Sequence, residues 1–257
     1  MTTCRSLTTY PSHVDPEEPI DLLNVAFENP RKIRVQAEGN LGGLPKREKK
    51  QKMRDRVHYS EIDVTYHVPD RVTGLQEVEE LRRLCPGRIW NFVEINVPFE
   101  EYQIARPIVE EVMFPGRTVM DLSLAMALYF AAQGVGDIRS HPGAPAEPYT
   151  SSARVLLNGL GSDELLGGYG RFRTAYKAAG WQAIIDELPV HLKMDPRLEA
   201  GLGEKMLLRL AAHKVGLVEA SRRKKRAMQF GSHSARMAPG AGDKKGDLLL
   251  SERIDLE

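Results

Sequence analysis

Cysteine is nearly absent: Cys4 and Cys85 are the only two in 257 residues. No second Cys or His lies at ligand spacing from either, which excludes a zinc cage built by them; both fit a reducing compartment and read as incidental. An excess of one charge is lacking as well. Lysine and arginine number 36 against 35 aspartates and glutamates, and a net charge of +1 gives no global electrostatic case for nucleic acid or a membrane surface. Long apolar runs are missing too. No segment approaches the roughly 18 apolar residues of a spanning helix, and the opening "MTTCRSLTTYPSHVDPEEP" has no signal-peptide core. The expectation is a cytoplasmic protein with neither a membrane nor a nucleic-acid partner.

What is present is an ordinary balance of 42% hydrophobic and 28% charged residues, arranged as short apolar runs alternating with helical patterns. "IDLLNVAF" (Ile20–Phe27), "IWNFVEINV" (Ile89–Val97) and "RVLLN" (Arg154–Asn158) read as buried strands. Between them, "GLQEVEELRRL" places Leu75, Val78, Leu81 and Leu84 at helical spacing, and residues 99–113 do so with Tyr102, Ile104, Ile108 and Val112. "DLSLAMALYFAA" (Asp121–Ala132) is apolar almost all round, with Asp121 as N-cap and an end near Gly134. From Gly203 a further helix sets Met206, Leu207, Leu210 and Ala211 on one side, with Lys205 and Arg209 displaced from it. This alternation predicts an α/β fold, an incomplete parallel sheet flanked by helices with a helical C-terminal part. Residues 1–18 and 238–257 are expected to be disordered ends of a domain over 19–237. Within it, 39–60 is a basic insertion and 140–150 a Pro- and Gly-rich loop. The basic runs Lys46–Arg56 and Arg222–Arg226 are expected to be solvated surface.

The stretch "LLNGLGSDELLGGYGRFR" carries the chemistry. An apolar run ends at Asn158 and Gly159, Gly161, Gly167, Gly168 and Gly170 follow, with Ser162, Asp163 and Glu164 among them. A glycine-rich turn entering a helix gathers backbone N–H groups where a phosphate can bind. The acids would repel that phosphate unless Mg²⁺ bridges them to it. No "GK[ST]" follows and the dinucleotide spacing fails, so neither a Walker loop nor a Rossmann fingerprint is present. Taken alone, the same residues also describe a tight turn with a helix N-cap.

"NGLGSDELLGGYGRFR" resembles the "SGEGSDELFGGY" segment in the synthetase domain of asparagine synthetases. "IDLLNVAFENP", "VPDRVTGLQEVEEL", "RIWNFVEINVPFEEYQ", "TVMDLSLAMALYFAAQGVG", "GEKMLLRLAAHKVGL" and "KKRAMQFGS" resemble, in order, its eukaryotic branch of domain-containing proteins. The resemblance implies an adenine-nucleotide α-hydrolase-like fold and an ATP-dependent ligase lineage that adenylates aspartate and then amidates it. It implies ATP and Mg²⁺ as cofactors and ATP and aspartate as small-molecule partners. By position it puts Gly159, Gly161, Ser162, Asp163, Lys205 and Lys225 around magnesium-pyrophosphate, with Asp163 on the metal and Asp163 and Lys205 as catalytic residues.

The chain also departs from that pattern. The family's "SGGxDS" nucleotide loop and glutaminase cysteine are not found, Leu160 stands where asparagine-forming enzymes have a glutamate, and a "PFLD"-type segment is missing at Leu188–Pro189. Leucine cannot transfer a proton. The expectation is therefore a member of the asparagine synthetase lineage that is impaired or inactive as this chain. The alternative is a non-catalytic relative that binds anions or a protein partner.

Overall fold

A computed structural model describes residues 15, 17–28, 65–185, 193–237 and 250, the side chains of 184 and 185 excepted. The expected N-terminal segment (save residues 15, 17 and 18), basic insertion, Leu188–Pro189 junction and tail (save Leu250) lie outside these residues. Four strands form one sheet in the order β1 (Ile20–Phe27), β2 (Trp90–Val97), β3 (Val135–Ile138) and β4 (Glu147–Thr150). Ile20 N–H donates to the Ile89 carbonyl and Glu28 N–H to the Val97 carbonyl, both at 3.0 Å. The same offset at both ends makes β1 and β2 parallel. Only residues 139–146 join β3 to β4, too few for a parallel crossover, so the sheet is mixed. The fold class is the expected one, an open sheet flanked by helices, and the β3–β4 pair adds an antiparallel edge to it. The pair also places a strand, Glu147–Thr150, inside the stretch expected to be loop.

"RVLLN" is not a strand. Residues 151–159 take no part in the sheet, and Val155, Leu156 and Leu157 are 76%, 40% and 41% exposed. A strand exists by pairing its N–H and C=O groups with a neighbour, and no described strand lies beside this one.

The chain divides into two compact units, one of residues 1–23, 73–93 and 137–227, the other of 24–72, 94–136 and 228–257. In the first, α1 (Pro69–Leu84) contributes Val78 and Leu81 to a core with Trp90, Phe92, Ala212, Leu217 and Ala220. Leu75 and Leu84, expected on the same face, are more than a third exposed. Buried Glu80 accepts from the Glu219 and Ala220 amides, capping the short helix α7 (Val218–Arg222) at its positive end. The long element α5 (Gly170–Ile185) bends at Ala179 and Gly180, and buries Phe172 with Met194.

In the second unit, Phe27 meets Tyr102 and Phe130 edge-on, with ring centroids 6.0 and 5.9 Å away. Tyr102, Ala105 and Val109 are the buried face of α2 (Phe99–Val112), while Ile104, Ile108 and Val112 point outward at 74%, 48% and 78% exposure. Of the expected apolar face only Tyr102 is buried, because two interleaved apolar stripes share the helical period and only one finds a neighbour. Helix α3 (Val119–Gln133) is buried as expected and stops at left-handed Gly134. Its N-cap is Thr118, with Asp121 the reciprocal partner in a capping box.

Glu28, 1% exposed, accepts from Phe99 N–H through Oε2 while its Oε1 has no hydrogen-bond partner among the described residues. Burial pushes its pKa up, opposed by the Phe99 N–H and aided by Glu100. A raised carboxyl pKa contributes stability below the unfolded value that is lost as pH rises through the folded one. Glu28→Gln should therefore raise Tm at pH 8 by about 2–4 °C and leave it unchanged near pH 4. Thermal melts across that range check it, and an equal shift at both ends would refute it.

Candidate functional site

Asn158 starts the turn by accepting Leu160 N–H on its side chain, and Ser162 N–H donates to the Gly159 carbonyl at 3.3 Å. Gly161 has φ 80 and precedes the single helical turn α4 (Ser162–Leu165). The chain then folds back so tightly that a Cβ on Gly168 would lie 1.7 Å from Asp163 Oδ1. Any side chain at 168 displaces that carboxylate, so the loop's glycines position Asp163 as well as shaping the turn.

Lys205 approaches from 43 residues away: its Nζ donates to Ser162 Oγ at 2.9 Å and lies 3.1 Å from Asp163 Oδ1. The approach to Oδ1 is ionic and off the hydrogen-bond line, so that buried oxygen has charge neighbours but no hydrogen bond among the described residues. Lys225 Nζ is 3.5 Å from the same oxygen and 5.6 Å from the centre of the Tyr169 ring. Arg171 stacks at 5.3 Å over Tyr169 and 5.0 Å over Phe172. The Tyr169 hydroxyl donates to Glu164, and this bond is the first cause, before burial, that pushes the tyrosine pKa up to about 12. The Glu164 carboxylate is thereby held toward Tyr169, and Asp163 is the carboxylate within ion-pair distance of both ammonium groups. A site with two cations to one carboxylate favours a further anion.

Lys205 lies at the N-cap of α6 (Met206–Lys214), where its left-handed backbone (φ 57, ψ 38) turns the side chain inward. It is 8% exposed and Arg209 6%, whereas Leu207 and Leu210 are 42% and 60% exposed. The expected apolar side of this helix is therefore largely the outer one. Arg209 donates to the carbonyls of Gly201, Glu204, Ser221 and Arg223, fixing the chain on both sides of Lys205 and beside Lys225. Burial pulls the Arg209 pKa down. Glu204 pairs with Arg173 at 3.0 Å, and Arg173 also donates to the carbonyls of Pro196, Leu198 and Glu199.

Ser162, Asp163, Lys205 and Lys225 thus meet at one point, with Gly159 and Gly161 in the turn behind Ser162. Sequence reasoning missed Arg209, Glu204 and Tyr169, and did not assign Gly168 its packing role. Tyr169 was visible inside "GGYGRFR", but nothing local marks Arg209 as a buried clamp.

The family model of asparagine synthase matches residues 111–248, a span that contains all of these side chains. This chain belongs to the asparagine synthase family. Asparagine synthetase domain-containing protein 1 of Bos taurus is 35% identical over 291 residues, which covers 93% of this chain and 45% of that protein. The Gallus gallus protein of the same name is 34% identical over 276 residues, 88% of this chain and 43% of its own length. An asparagine synthetase domain-containing protein of Saccharomyces cerevisiae is 31% identical over 268 residues, 91% of this chain and 44% of that one. The chain spans less than half the length of these relatives. No solved structure matches. The open sheet with its helices is the Rossmann-like arrangement of adenine-nucleotide α-hydrolases that the family implies.

The described residues contain no group of three His, Cys, Asp or Glu side chains able to hold a metal. Asp163 alone, flanked by two lysines, fits a divalent cation only when the cation arrives on an anion that supplies further oxygen ligands. No described helix is long and apolar enough to cross a membrane.

Proposed function

We propose that this chain carries the polyphosphate-holding part of an asparagine-synthetase-type ligase site, and that alone it forms no asparagine. The observation that carries the reading is the convergence of Lys205 and Lys225 on Asp163 Oδ1, at 3.1 and 3.5 Å, over a Gly168 with no room for a side chain. Leaving pyrophosphate accumulates negative charge, and two lysines and a phosphate-borne Mg²⁺ on Asp163 are the groups that neutralise it. ATP and aspartate are the small molecules of this reading, and the cytoplasm is its compartment. Against turnover by this chain stands Leu160, which has no proton to give or take, 52% exposed at the mouth of the turn.

The alternative, a non-catalytic relative that binds a protein, is favoured by one observation: Val155, Leu156, Leu157, Leu160 and Leu165 are exposed around the loop.

Calorimetric titration with pyrophosphate and Mg²⁺ tests the anion site. Lys205→Ala should weaken binding about 10- to 100-fold, the loss of one charge-assisted contact, and Asp163→Ala should remove its magnesium dependence. Failure of the unaltered chain to bind leaves the protein-binding alternative. In parallel, aspartate-dependent ATP–pyrophosphate exchange should stay at the blank. Exchange above the blank, abolished by Asp163→Ala, would show the chain to be a working adenylating enzyme.

A further inference from the structure

Lys205 and Lys225 are held in the anion site by unequal means. Lys205 is buried, and its ammonium has the Ser162 hydroxyl at 2.9 Å as well as Asp163 Oδ1 at 3.1 Å. The Lys225 side chain is 24% exposed against 10% for Lys205, and its ammonium reaches Asp163 Oδ1 only at 3.5 Å, without a hydrogen bond to it. That oxygen is a poor tether for a second cation. Lys205 already neutralises its charge, and two ammonium groups on one oxygen repel each other. A lysine side chain also gives up rotamer freedom when it is confined to one geometry. A further attraction is needed to keep Lys225 in the site, and the Tyr169 ring, whose centre lies 5.6 Å from its Nζ, supplies one.

The ring is itself fixed by the loop that makes the site. Gly167, with φ 65, turns the chain after α4, and Gly168 packs its backbone against the Asp163 carboxylate. The same reversal sets Tyr169 so that its hydroxyl donates to the Glu164 carboxylate. Phe172 N–H donates to the Tyr169 carbonyl at 3.3 Å, and the two rings lie 6.5 Å apart. A phenol that donates to a carboxylate carries more electron density in its ring, and the face of such a ring attracts a cation more strongly. Arg171 lies over the same ring at 5.3 Å, a second cation drawn to it.

We propose that Tyr169 is the positioning residue for Lys225: its ring face, made electron-rich by the hydrogen bond to Glu164, holds the ammonium beside Asp163 before an anion arrives. Glu164 then acts on the site through Tyr169 without touching the ligand. Binding costs less when Lys225 is already ordered. The inference deepens the anion-site reading and rests on it for the effect on pyrophosphate, whereas the hold of the ring on Lys225 is tested without any ligand.

Two measurements on the full chain test it. With no ligand present, NMR should find the ε-methylene protons of Lys225, assigned by their loss in Lys225→Met, upfield of those of exposed lysines, because a ring face shields them. Tyr169→Leu should return them to the common position. Calorimetric titration with pyrophosphate and Mg²⁺ reads the consequence: Tyr169→Leu should weaken binding about three- to tenfold, and Tyr169→Phe and Glu164→Gln about twofold. In a Lys225→Met background Tyr169→Leu should cost nothing further, whereas in a Lys205→Ala background it should cost as much as before. A loss through disturbed packing beside Phe172 would be the same in both backgrounds. Should Tyr169→Leu not fold, Tyr169→Phe keeps the bulk of the ring, and its smaller loss should likewise vanish with Lys225→Met. Lys225 methylene protons at the common position in the unaltered chain overturn the proposal, as does an equal effect of the Tyr169 variants with and without the Lys225 side chain. If the unaltered chain binds no pyrophosphate while Lys225 keeps its ring shift, the anion reading falls and the hold of Tyr169 on Lys225 stands.

Discussion

Arg209→Met should lower the free energy of unfolding by about 4 kcal/mol and weaken pyrophosphate binding at the same time. The guanidinium is buried and donates to four carbonyls, at 2.8 Å to Glu204, 2.8 Å to Ser221, 2.7 Å to Arg223 and 2.6 Å to Gly201. Methionine fills much of the volume but leaves these acceptors unpaired, and buried acceptors left without donors lose their desolvation energy in full. The effect on binding follows from where the four carbonyls sit. Glu204 precedes Lys205, and Arg223 lies two residues before Lys225, so one side chain sets the backbone that aims both ammonium groups at Asp163. Arg209→Lys keeps the charge but cannot reach four carbonyls with a compact ammonium, and most of the stability loss should remain. Denaturant unfolding and pyrophosphate titration of the two variants measure this. A stability loss below about 1 kcal/mol, or unchanged pyrophosphate affinity in a destabilised protein, would show that Arg209 is not the clamp described.

How far these features were legible varies with how local their causes are. Strand β1 was read at its observed bounds and β2 to within one residue, because β-branched apolar runs between polar breaks are a local signal. The end of α3 at Gly134 was equally plain, since left-handed backbone favours glycine. Its start was misread by three residues: Asp121 is a good N-cap by type, and only the reciprocal bond to Thr118 tells N-cap from N3. Which face of a helix is buried proved hardest. Ile104, Ile108 and Val112 are more apolar than Ala105, yet Ala105 is inside, because close approach of a neighbouring element selects small residues.

The candidate site was legible in its members and not in its arrangement. Ser162, Asp163, Lys205 and Lys225 were singled out by resemblance, and geometry brings all four within ion-pairing or hydrogen-bonding reach. A lysine at the start of an amphipathic helix ordinarily belongs to solvent, and one inside "RRKKR" more so. Burial of Lys205 depends on a left-handed residue that no propensity favours in lysine, and on a serine 43 positions away. "RVLLN" failed as a strand for a related reason, since its pattern is correct for an inner strand but pairing requires a neighbour.

A second large effect is expected in the other compact unit. Arg71, 4% exposed, pairs with Glu94 at 2.8 Å and donates to the Asn24 side chain at 2.6 Å, the Asn24 carbonyl at 3.2 Å and Asn96 at 3.0 Å. Asn24 in turn donates to the Asp70 carbonyl at 3.2 Å, so one guanidinium links strand β1, strand β2 and the first turn of α1. Arg71→Met should destabilise by about 3–5 kcal/mol, because it takes this cation from a partly buried carboxylate and its donors from Asn24 and Asn96. Adding Glu94→Gln removes the charge that was left behind, so the double variant should recover about 1–3 kcal/mol relative to Arg71→Met alone. Recovery of that size assigns the loss to the Arg71–Glu94 ion pair. A double variant no more stable than the single one would place the loss in the bonds to Asn24 and Asn96 instead, and a single variant of near-native stability would refute a structural role for Arg71 altogether. Neither variant should change pyrophosphate affinity in the folded protein, since Arg71 and Glu94 belong to the other compact unit.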